Sequence, residues 1–408
     1  MRISAACDWE TIMPDPMRFQ GRAQGLEHRT IARVTHELLS VDTQADSFIV
    51  ISGAGSALSA KDLKGYAGVL VDQEASDRVK SSSSFPLVRG YTDLSHLTQG
   101  TILAINPDGQ TFTLYRPESD YNSIFATGRC NSDCIMCSQP PVALEPDDMV
   151  AENLRMIDLI SEPPETLGIT GGEPTLLKDG LVTILECLRE RFPETYVHML
   201  TNGRMFAYKD FTDRIAQVGH ERFLSAIPLY ADNSADHDWI VQSKGAFDQT
   251  IAGLYNAAEC GLQVEIRVVL HKQTIGRLEQ LAEFIYRNFP FVSHVALMGL
   301  ENMGYVKRNW DLLWVDPVDY TDVLQRTVRY LFYRCLNVSI YNLQLCILPR
   351  SLWTFARQSI SDYKNIYLDT CSQCGVREQC GGLFKSSETK HSRDIHPIAA
   401  DGELEVAS

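Results

Sequence analysis

The chain has 408 residues, 44% of them hydrophobic, and its 37 basic and 52 acidic side chains give a net charge of −15. This charge argues against a broad nucleic-acid-binding or anionic-membrane surface, because such surfaces are basic. The sequence has no apolar run of signal-peptide or membrane-span length. We therefore expect a soluble, cytoplasmic protein of two or three domains, with neither nucleic acid nor membrane as a partner.

Residues 1–118 are predicted to form a small, mainly-β N-terminal domain with a helix or two. A turn at 106–110, Asn-Pro-Asp-Gly-Gln, favours a β-hairpin. No residue here suggests catalysis, and a docking or structural role is the default. The β-like runs lie at 48–51, 67–71, 101–105 and 111–115.

Residues 119–315 alternate short apolar runs with amphipathic helical patterns. This alternation predicts right-handed βαβ units and a parallel sheet. Six units are too few for a full eight-stranded barrel, so we expect an α/β fold, a partial (β/α)6 TIM-like barrel. The runs lie at 123–127, 167–170, 196–200, 223–227, 264–270 and 294–298.

Three motifs follow the first three of these runs. They are Cys130-x3-Cys134-x2-Cys137, Gly171-Gly172-Glu173-Pro174 and Thr201-Asn202-Gly203. In barrels of this kind the loops after the strands' carboxyl ends build the active site. The motifs therefore predict a site on that rim.

Eleven cysteines without a secretory signal suggest metal or redox chemistry rather than disulfides. Cys130, Cys134 and Cys137 can supply thiolates to three irons of a cuboidal iron–sulfur cluster, which leaves the fourth iron open to an outside ligand. The alternative is a structural zinc site, which normally needs four protein ligands.

The cysteine triplet after one strand and Gly-Gly-Glu-Pro after the next resemble the radical S-adenosylmethionine (radical SAM) superfamily. The resemblance implies a [4Fe-4S] cluster on the triplet, whose open iron binds SAM, and cleavage of SAM to a 5′-deoxyadenosyl radical. For Arg267, a structural ion pair is an alternative. The implied SAM-binding residues are Met136 near the adenine, Gly171 and Gly172 beside the methionine part, Glu173 at its ammonium, Pro174, Asn202 and Arg267.

A second cysteine group lies in residues 316–385. Its Cys371-x2-Cys374-x5-Cys380 spacing resembles the auxiliary-cluster, twitch-like extension that follows the barrel in radical SAM enzymes that modify peptides. It implies a second [4Fe-4S] cluster with Cys346 as fourth ligand. Cys335 is a rival for that position, and structural zinc is a rival for the whole site. The tail from 386 to 408 is polar and predicted to be disordered.

Further motifs resemble the C-type radical SAM maturase of His-Xaa-Ser peptide systems. The implied activity is post-translational modification of a ribosomally made peptide. The implied partners are a substrate peptide with His-Xaa-Ser repeats, a second radical SAM protein, a small partner protein and an electron donor of flavodoxin or ferredoxin type. The motifs are Tyr115-Arg116, Asn122-Ser123, Cys137–Pro141, His237-Asp238, Gly245–Asp248 and Cys371–Gly382.

Two other functions remain open from the sequence. One is a radical SAM enzyme that acts on a small molecule, of the pterin- or deazaguanine-precursor type. The other is a non-catalytic iron–sulfur or zinc scaffold that partners another maturase. The auxiliary motif argues against the deazaguanine type, and the intact triplet and Gly-Gly-Glu-Pro argue against the scaffold.

Overall fold

A computed structural model describes residues 17–53, 56–80, 84–142 and 146–399. Its first part is a mixed sheet with strand order β1-β8-β7-β3-β4-β5-β6-β2. The four predicted runs and the hairpin are confirmed. The elements are β1 (Arg18–Gln20), β2 (Arg22–Gln24), β3 (Thr30–Thr35), α1 (Val41–Gln44), β4 (Ser47–Ile51), α2 (Ala60–Leu63), β5 (Gly68–Asp72), β6 (Leu87–Tyr91), β7 (Ile102–Ile105) and β8 (Gln110–Tyr115).

The extended segment 18–24 joins the two ends of this sheet. Its first half pairs with β8 and its second half with β6, both antiparallel. Gly21 lies between the halves and donates its N–H to the Gly109 carbonyl at 2.9 Å. A Cβ on Gly21 would lie 2.7 Å from Tyr91 and Val88 side-chain atoms, so the joint requires glycine.

The second sheet contains eight parallel strands in the order β16-β15-β14-β13-β12-β11-β10-β9. The six predicted strands are confirmed. Two further strands extend the sheet from the segment predicted to be a separate extension. The strands are β9 (Ser123–Thr127), β10 (Thr166–Gly171), β11 (Tyr196–Leu200), β12 (Phe223–Pro228), β13 (Gln263–Leu270), β14 (His294–Gly299), β15 (Val338–Tyr341) and β16 (Ala356–Arg357).

The helices between these strands cover one face of the parallel sheet. In α4, for example, the buried positions 181, 184, 185 and 188 follow helical spacing and form one apolar stripe. Among the described residues, no helix is long and apolar enough to cross a bilayer. The helices are α3 (Pro146–Leu159), α4 (Asp179–Arg191), α5 (Lys209–Gln217), α6 (Ser234–Val241), α7 (Ala246–Glu259), α8 (Lys272–Ile275), α9 (Leu278–Asn288), α10 (Tyr305–Arg308), α11 (Trp310–Leu313) and α12 (Thr321–Phe332).

Alternate strand residues divide the parallel sheet into two chemically different faces. Val264, Ile266 and Val268 of β13 join the buried core beneath the helices. Glu265 and Arg267 point to the other face, which we call the inner face. The inner face is therefore polar at its centre, whereas the outer face is the main core of the barrel.

Helix α3 fastens the N-terminal sheet to the barrel. Arg29 donates from Nε and Nη2 to the Glu152 carboxylate at 2.6 and 2.8 Å. A second ion pair joins Arg155 to Asp46. These contacts fix the two sheets against each other through one shared helix.

The prediction of a disordered tail is wrong for residues 386–399. They follow the short antiparallel pair β17 (Asn365–Ile366) and β18 (Leu383–Phe384) and pack against the chain. Ser392 is 3% exposed. Polar composition misled the prediction, because hydrogen bonds to Asp316 hold this segment and Ile398 packs against the main core. Residues 400–408 lie outside the described part.

Candidate active site on the barrel rim

Cys130, Cys134 and Cys137 lie in the loop that follows β9. The Cys137 N–H donates to the Cys134 carbonyl at 3.0 Å, which curls the loop back on itself. The N–H groups of Asp133 and Ile135 donate to carbonyls at the end of α6 at 3.1 and 3.0 Å. From the other side, the Tyr305 N–H donates to the Cys137 carbonyl at 2.8 Å. Backbone contacts therefore hold the loop between the ends of two βα units.

Burial governs the acidity of these thiols. It raises the pKa of Cys130 to about 11, with a further contribution from the nearby Glu173 carboxylate. Burial also raises the pKa of Cys134, and the neighbouring Cys137 and Cys130 act in the same direction. Both pKa shifts favour the protonated thiols of Cys130 and Cys134 in the metal-free chain. Cluster binding must displace protons, because thiolates are the ligands.

The glycines at the end of β10 are required by contact with the cysteine loop. Gly171 has a φ of +132°, and a Cβ there would lie 2.4 Å from the Thr127 carbonyl oxygen. A Cβ on Gly172 would lie 2.2 Å from the Arg129 carbonyl oxygen. The Gly172 and Glu173 N–H groups donate to these same two carbonyls, each at 2.7 Å. The sequence interpretation connected both glycines with the approach of SAM, but their first effect is to let two loops meet.

Glu173 is 1% exposed, and protein donors reach both of its carboxylate oxygens. Oε1 accepts from the Thr175 N–H at 3.0 Å and from the hydroxyls of Thr175 and Thr201 at 2.5 and 2.6 Å. Oε2 accepts from the Asn202 N–H at 2.6 Å. The predicted contact with an ammonium group stays a prediction. In this structure the carboxylate joins the ends of β10 and β11, and the buried Pro174 begins the 3-10 turn Pro174–Leu177 beside it.

Asn202 connects the end of β11 to the cysteine loop. Its Nδ2 donates to Asn131 Oδ1 at 2.6 Å, and its own Oδ1 accepts from the Arg204 N–H at 3.0 Å. Met136, predicted to lie near the adenine, is 6% exposed. It packs in an apolar cluster with Ile240 and other residues below the loop. Asn202 thus contacts the cysteine loop from outside, whereas Met136 is part of the loop.

Sequence reasoning missed Arg204, which holds the cysteine loop most extensively. Its Nη1 donates to the Asn131 carbonyl, to Ser132 Oγ at 2.9 Å and to Ser243 Oγ at 3.0 Å. Its Nε donates to Gln249 Oε1 at 2.7 Å. The only signal in the sequence is an arginine directly after the Thr-Asn-Gly turn. We call this set of contacts the Arg204 clamp.

A polar network lies at the centre of the inner face. Glu265 is 5% exposed, its Oε2 accepts from His294 Nδ1 at 2.7 Å, and its Oε1 lies 3.5 Å from His198 Nε2. Arg267 Nε lies 3.4 Å from Glu265 Oε1, beyond a good hydrogen bond, and has no hydrogen-bond partner among the described residues. Burial alone would raise the pKa of Glu265, but the two histidines and Arg267 outweigh it and lower the pKa to about 2. Arg267 thus has the ion pair considered from the sequence, and it keeps an unused donor.

The second cysteine group converges on one cavity. The sulfur-bearing residues that line it are Cys346, Cys371, Cys374 and Cys380. The turn after Cys380 contains Gly382, whose φ is +68°. Cys335, the rival ligand, is exposed at the start of β15 and does not line this cavity.

The donor set at both sites consists of cysteine thiols, which suits iron–sulfur clusters. Within the described ranges, no three His, Cys, Asp or Glu side chains are placed to hold a single metal ion. A cubane spreads its sulfur ligands over different irons, whereas zinc draws its four to about 2.3 Å from one atom. The three rim cysteines and the four cavity cysteines fit the implied clusters.

Comparison with known proteins agrees with this geometry. Residues 124–285 match the family model of the radical SAM superfamily. Fe-coproporphyrin III synthase of Methanosarcina barkeri is 29% identical over 163 residues, 39% of this chain and 39% of that protein. GTP 3′,8-cyclase of Petrotoga mobilis is 30% identical over 198 residues, 47% of this chain and 58% of that protein. The matched region thus spans less than two thirds of either curated relative.

Among solved structures, Streptococcus suis SuiB bound to S-adenosylmethionine is similar to this chain. The sequence identity is 18% and the TM-score 0.40, over 53% of this chain and 46% of that chain. Residues 124–285 are thus similar to the radical SAM superfamily in the family-model match and in the order of the motifs along β9, β10 and β11.

Proposed function

We propose that this protein is a radical SAM enzyme that modifies a ribosomally made peptide of the His-Xaa-Ser type. The observation that carries the proposal is the joining of the cysteine loop to the glycine turn. The carbonyls of Thr127, at the end of β9, and of Arg129, in the cysteine loop, accept from the Gly172 and Glu173 N–H groups, each at 2.7 Å. Cys130, Cys134 and Cys137 would hold a [4Fe-4S] cluster there, and the cluster with SAM supplies hydrogen-atom abstraction by a 5′-deoxyadenosyl radical.

The chain's own residues would position the cofactors and exclude water. Gly171 and Gly172 let the glycine turn contact the end of β9 and the cysteine loop, since a side chain at either position would meet backbone oxygen. Glu173 and Asn202 keep the two strand ends in register with the loop. Met136 gives the loop an apolar underside, which limits access of water from below.

The inner face would receive the substrate. Arg267 keeps a donor without a partner among the described residues, and the two histidines beside Glu265 offer polar contacts to a side chain or a backbone amide. A peptide with histidine and serine residues has acceptors and donors that match this network. The motifs that resemble His-Xaa-Ser maturases support the same substrate class.

The four cavity cysteines would hold the second [4Fe-4S] cluster, fully ligated by protein. Such a cluster can pass electrons between the rim site and a flavodoxin- or ferredoxin-type donor. A second radical SAM protein and a small partner protein complete the proposed system. These partners rest on the family resemblance.

A small-molecule substrate is the second candidate function. It is favoured by the name of one curated relative, GTP 3′,8-cyclase, which is 30% identical over 198 residues. A nucleotide would place its phosphates against Arg267 on the inner face. Peptide and nucleotide substrates therefore compete for the same surface and can be tested on the same preparation.

The test is anaerobic reconstitution followed by measurement of iron, sulfide and SAM cleavage. We expect about eight irons per chain, as two cubanes require, and formation of 5′-deoxyadenosine. Cys134→Ala should abolish cleavage, whereas the matched variant of the exposed Cys335, Cys335→Ser, should leave it unchanged. SAM cleavage that survives in Cys134→Ala would refute the assignment of the rim site.

Substrate class is tested separately by mass spectrometry. A peptide with His-Xaa-Ser repeats and GTP are each incubated with the reconstituted enzyme and SAM. A mass change in the peptide alone supports the maturase, and conversion of GTP alone supports the second candidate. An unmodified peptide under conditions that cleave SAM would contradict the first proposal.

A further inference from the structure

The last described segment, residues 385–399, crosses the carboxyl-end rim and ends at the second cysteine cavity. We call it the C-terminal strap. Asp316 anchors its middle, because its carboxylate accepts from Ser392 Oγ at 2.5 Å and from the Arg393 N–H at 3.0 Å. Arg393 also forms ion pairs with Asp316 and Asp319. The Asn302 amide donates to the Ser386 carbonyl at 3.1 Å. The strap is thus held at two points before it reaches the cysteines.

Beyond these anchors, the strap lies directly against the cysteine ligands. Ile395 and His396 line the cavity together with the four cysteines. The Ile398 N–H points at Cys374 Sγ at 3.5 Å, and the Ile398 carbonyl accepts from the Gly375 N–H at 2.8 Å. The N–H and the carbonyl of Ile398 therefore both contact the turn that contains Cys374 and Gly375.

Backbone N–H groups that donate to cysteine sulfur alter the reduction potential of an iron–sulfur cluster, as does exclusion of solvent. Reduction adds negative charge to the cluster and its sulfurs. An N–H dipole aimed at sulfur stabilises that charge, so it favours the reduced state. Removing such a donor should make the cluster harder to reduce.

We propose that the C-terminal strap is a positioning element of the second cluster. It raises the cluster's reduction potential through the Ile398 N–H group, and Ile395 and His396 cover the cluster from solvent. The inference rests on the proposed second cluster. It gives a redox role to a segment outside the cysteine motifs. The strap's residues are not ligands; they act through the ligands' sulfurs.

The test uses a chain whose three rim cysteines are replaced by alanine, so that only the second cluster remains. Ile398→Pro removes one N–H donor. Ile398→Ala keeps the donor and removes more apolar side chain than proline does, so it controls for lost packing. A redox titration followed by electron paramagnetic resonance should give a more negative midpoint potential for Ile398→Pro and an unchanged midpoint for Ile398→Ala.

A second variant guards against misfolding of Ile398→Pro. Ser392→Ala with Arg393→Ala removes anchor contacts and leaves the cysteines and Asp316 in place. We expect iron to be lost to a chelator several-fold faster in this variant. Equal midpoint potentials and equal rates of iron loss in all variants would overturn the inference. Absence of iron from the parent chain would instead overturn the second cluster itself, so the two failures are distinguishable.

Discussion

Replacement of Arg204 by alanine should loosen the cysteine loop before any metal is bound. The Arg204 clamp includes three contacts of 2.7 to 3.0 Å and a fourth to the Asn131 carbonyl. A hydrogen bond from a charged donor contributes about 1.5–3 kcal/mol. Water can replace part of these contacts, because Arg204 is only half-buried. We therefore expect local opening of the loop to become easier by about 2–4 kcal/mol.

Hydrogen exchange of the iron-free chain measures this opening directly. A change of about 2–4 kcal/mol corresponds to faster exchange by roughly 30-fold to several hundred-fold. The faster exchange should be confined to peptides that cover residues 130–137. Arg204→Lys should have an intermediate effect, since lysine keeps the charge but not the planar fork.

Arg214→Ala is the matched control. Arg214 is an exposed arginine in an ion pair of 2.7 Å with Asp179. Such surface pairs contribute about 0–1 kcal/mol, so exchange in the cysteine loop should not change. If Arg204→Ala also leaves exchange over 130–137 unchanged, the backbone contacts alone hold the loop and our reasoning about the clamp is wrong.

Three further predictions concern the glycine turn, the inner face and the second cysteine group. Gly172→Ala should separate the turn from the cysteine loop, since its Cβ would lie 2.2 Å from the Arg129 carbonyl oxygen, and iron analysis should show a loss of about four of eight irons. Glu265, whose pKa is lowered to about 2, adds stability that is present above its unfolded pKa of 4.5 and is lost as the pH falls towards 2. Glu265→Gln should therefore lower the midpoint temperature of unfolding at pH 7, and should make that midpoint depend less on pH between about pH 5 and 2. An unchanged dependence of the midpoint on pH would contradict the proposed role of the Glu265 network. Cys346→Ser should also remove about four irons, whereas Cys335→Ser should remove none, and the reverse result would exchange the two ligand assignments.

The sequence predicted the secondary structure best where apolar residues follow a single strand or helix pattern over a local segment. The six apolar runs from 123 to 298 correspond to β9–β14 within one or two residues at each end. The turn after β10 was predicted equally well, because a Gly-Gly pair after a buried strand has few structural roles. The motif order then placed the first cysteine loop on the rim.

Contacts between segments that lie far apart in the sequence could not be predicted in the same way. Strand β16 has only two residues, too short for a pattern, and its pairing depends on β15 beside it. Arg204 donates a hydrogen bond to the carbonyl of Asn131, which lies far away in the chain. No residue near Arg204 in the sequence predicts that partner. The tail was mispredicted for a related reason, since its order depends on Asp316 rather than on its own composition.

Closure of the N-terminal sheet by residues 18–24 sets an order of events during synthesis. This segment is made early, whereas its partners β6 and β8 lie more than 60 residues later in the chain, and β8 is the last strand of the sheet. Pairing between such distant segments is entropically costly and slow. Since β8 ends at Tyr115 and β9 begins at Ser123, the small sheet can complete itself while most of the parallel sheet is still unmade. In a nascent chain, α3 would then pack against an N-terminal sheet that has already folded. The cysteine loops would be synthesised after that sheet is complete.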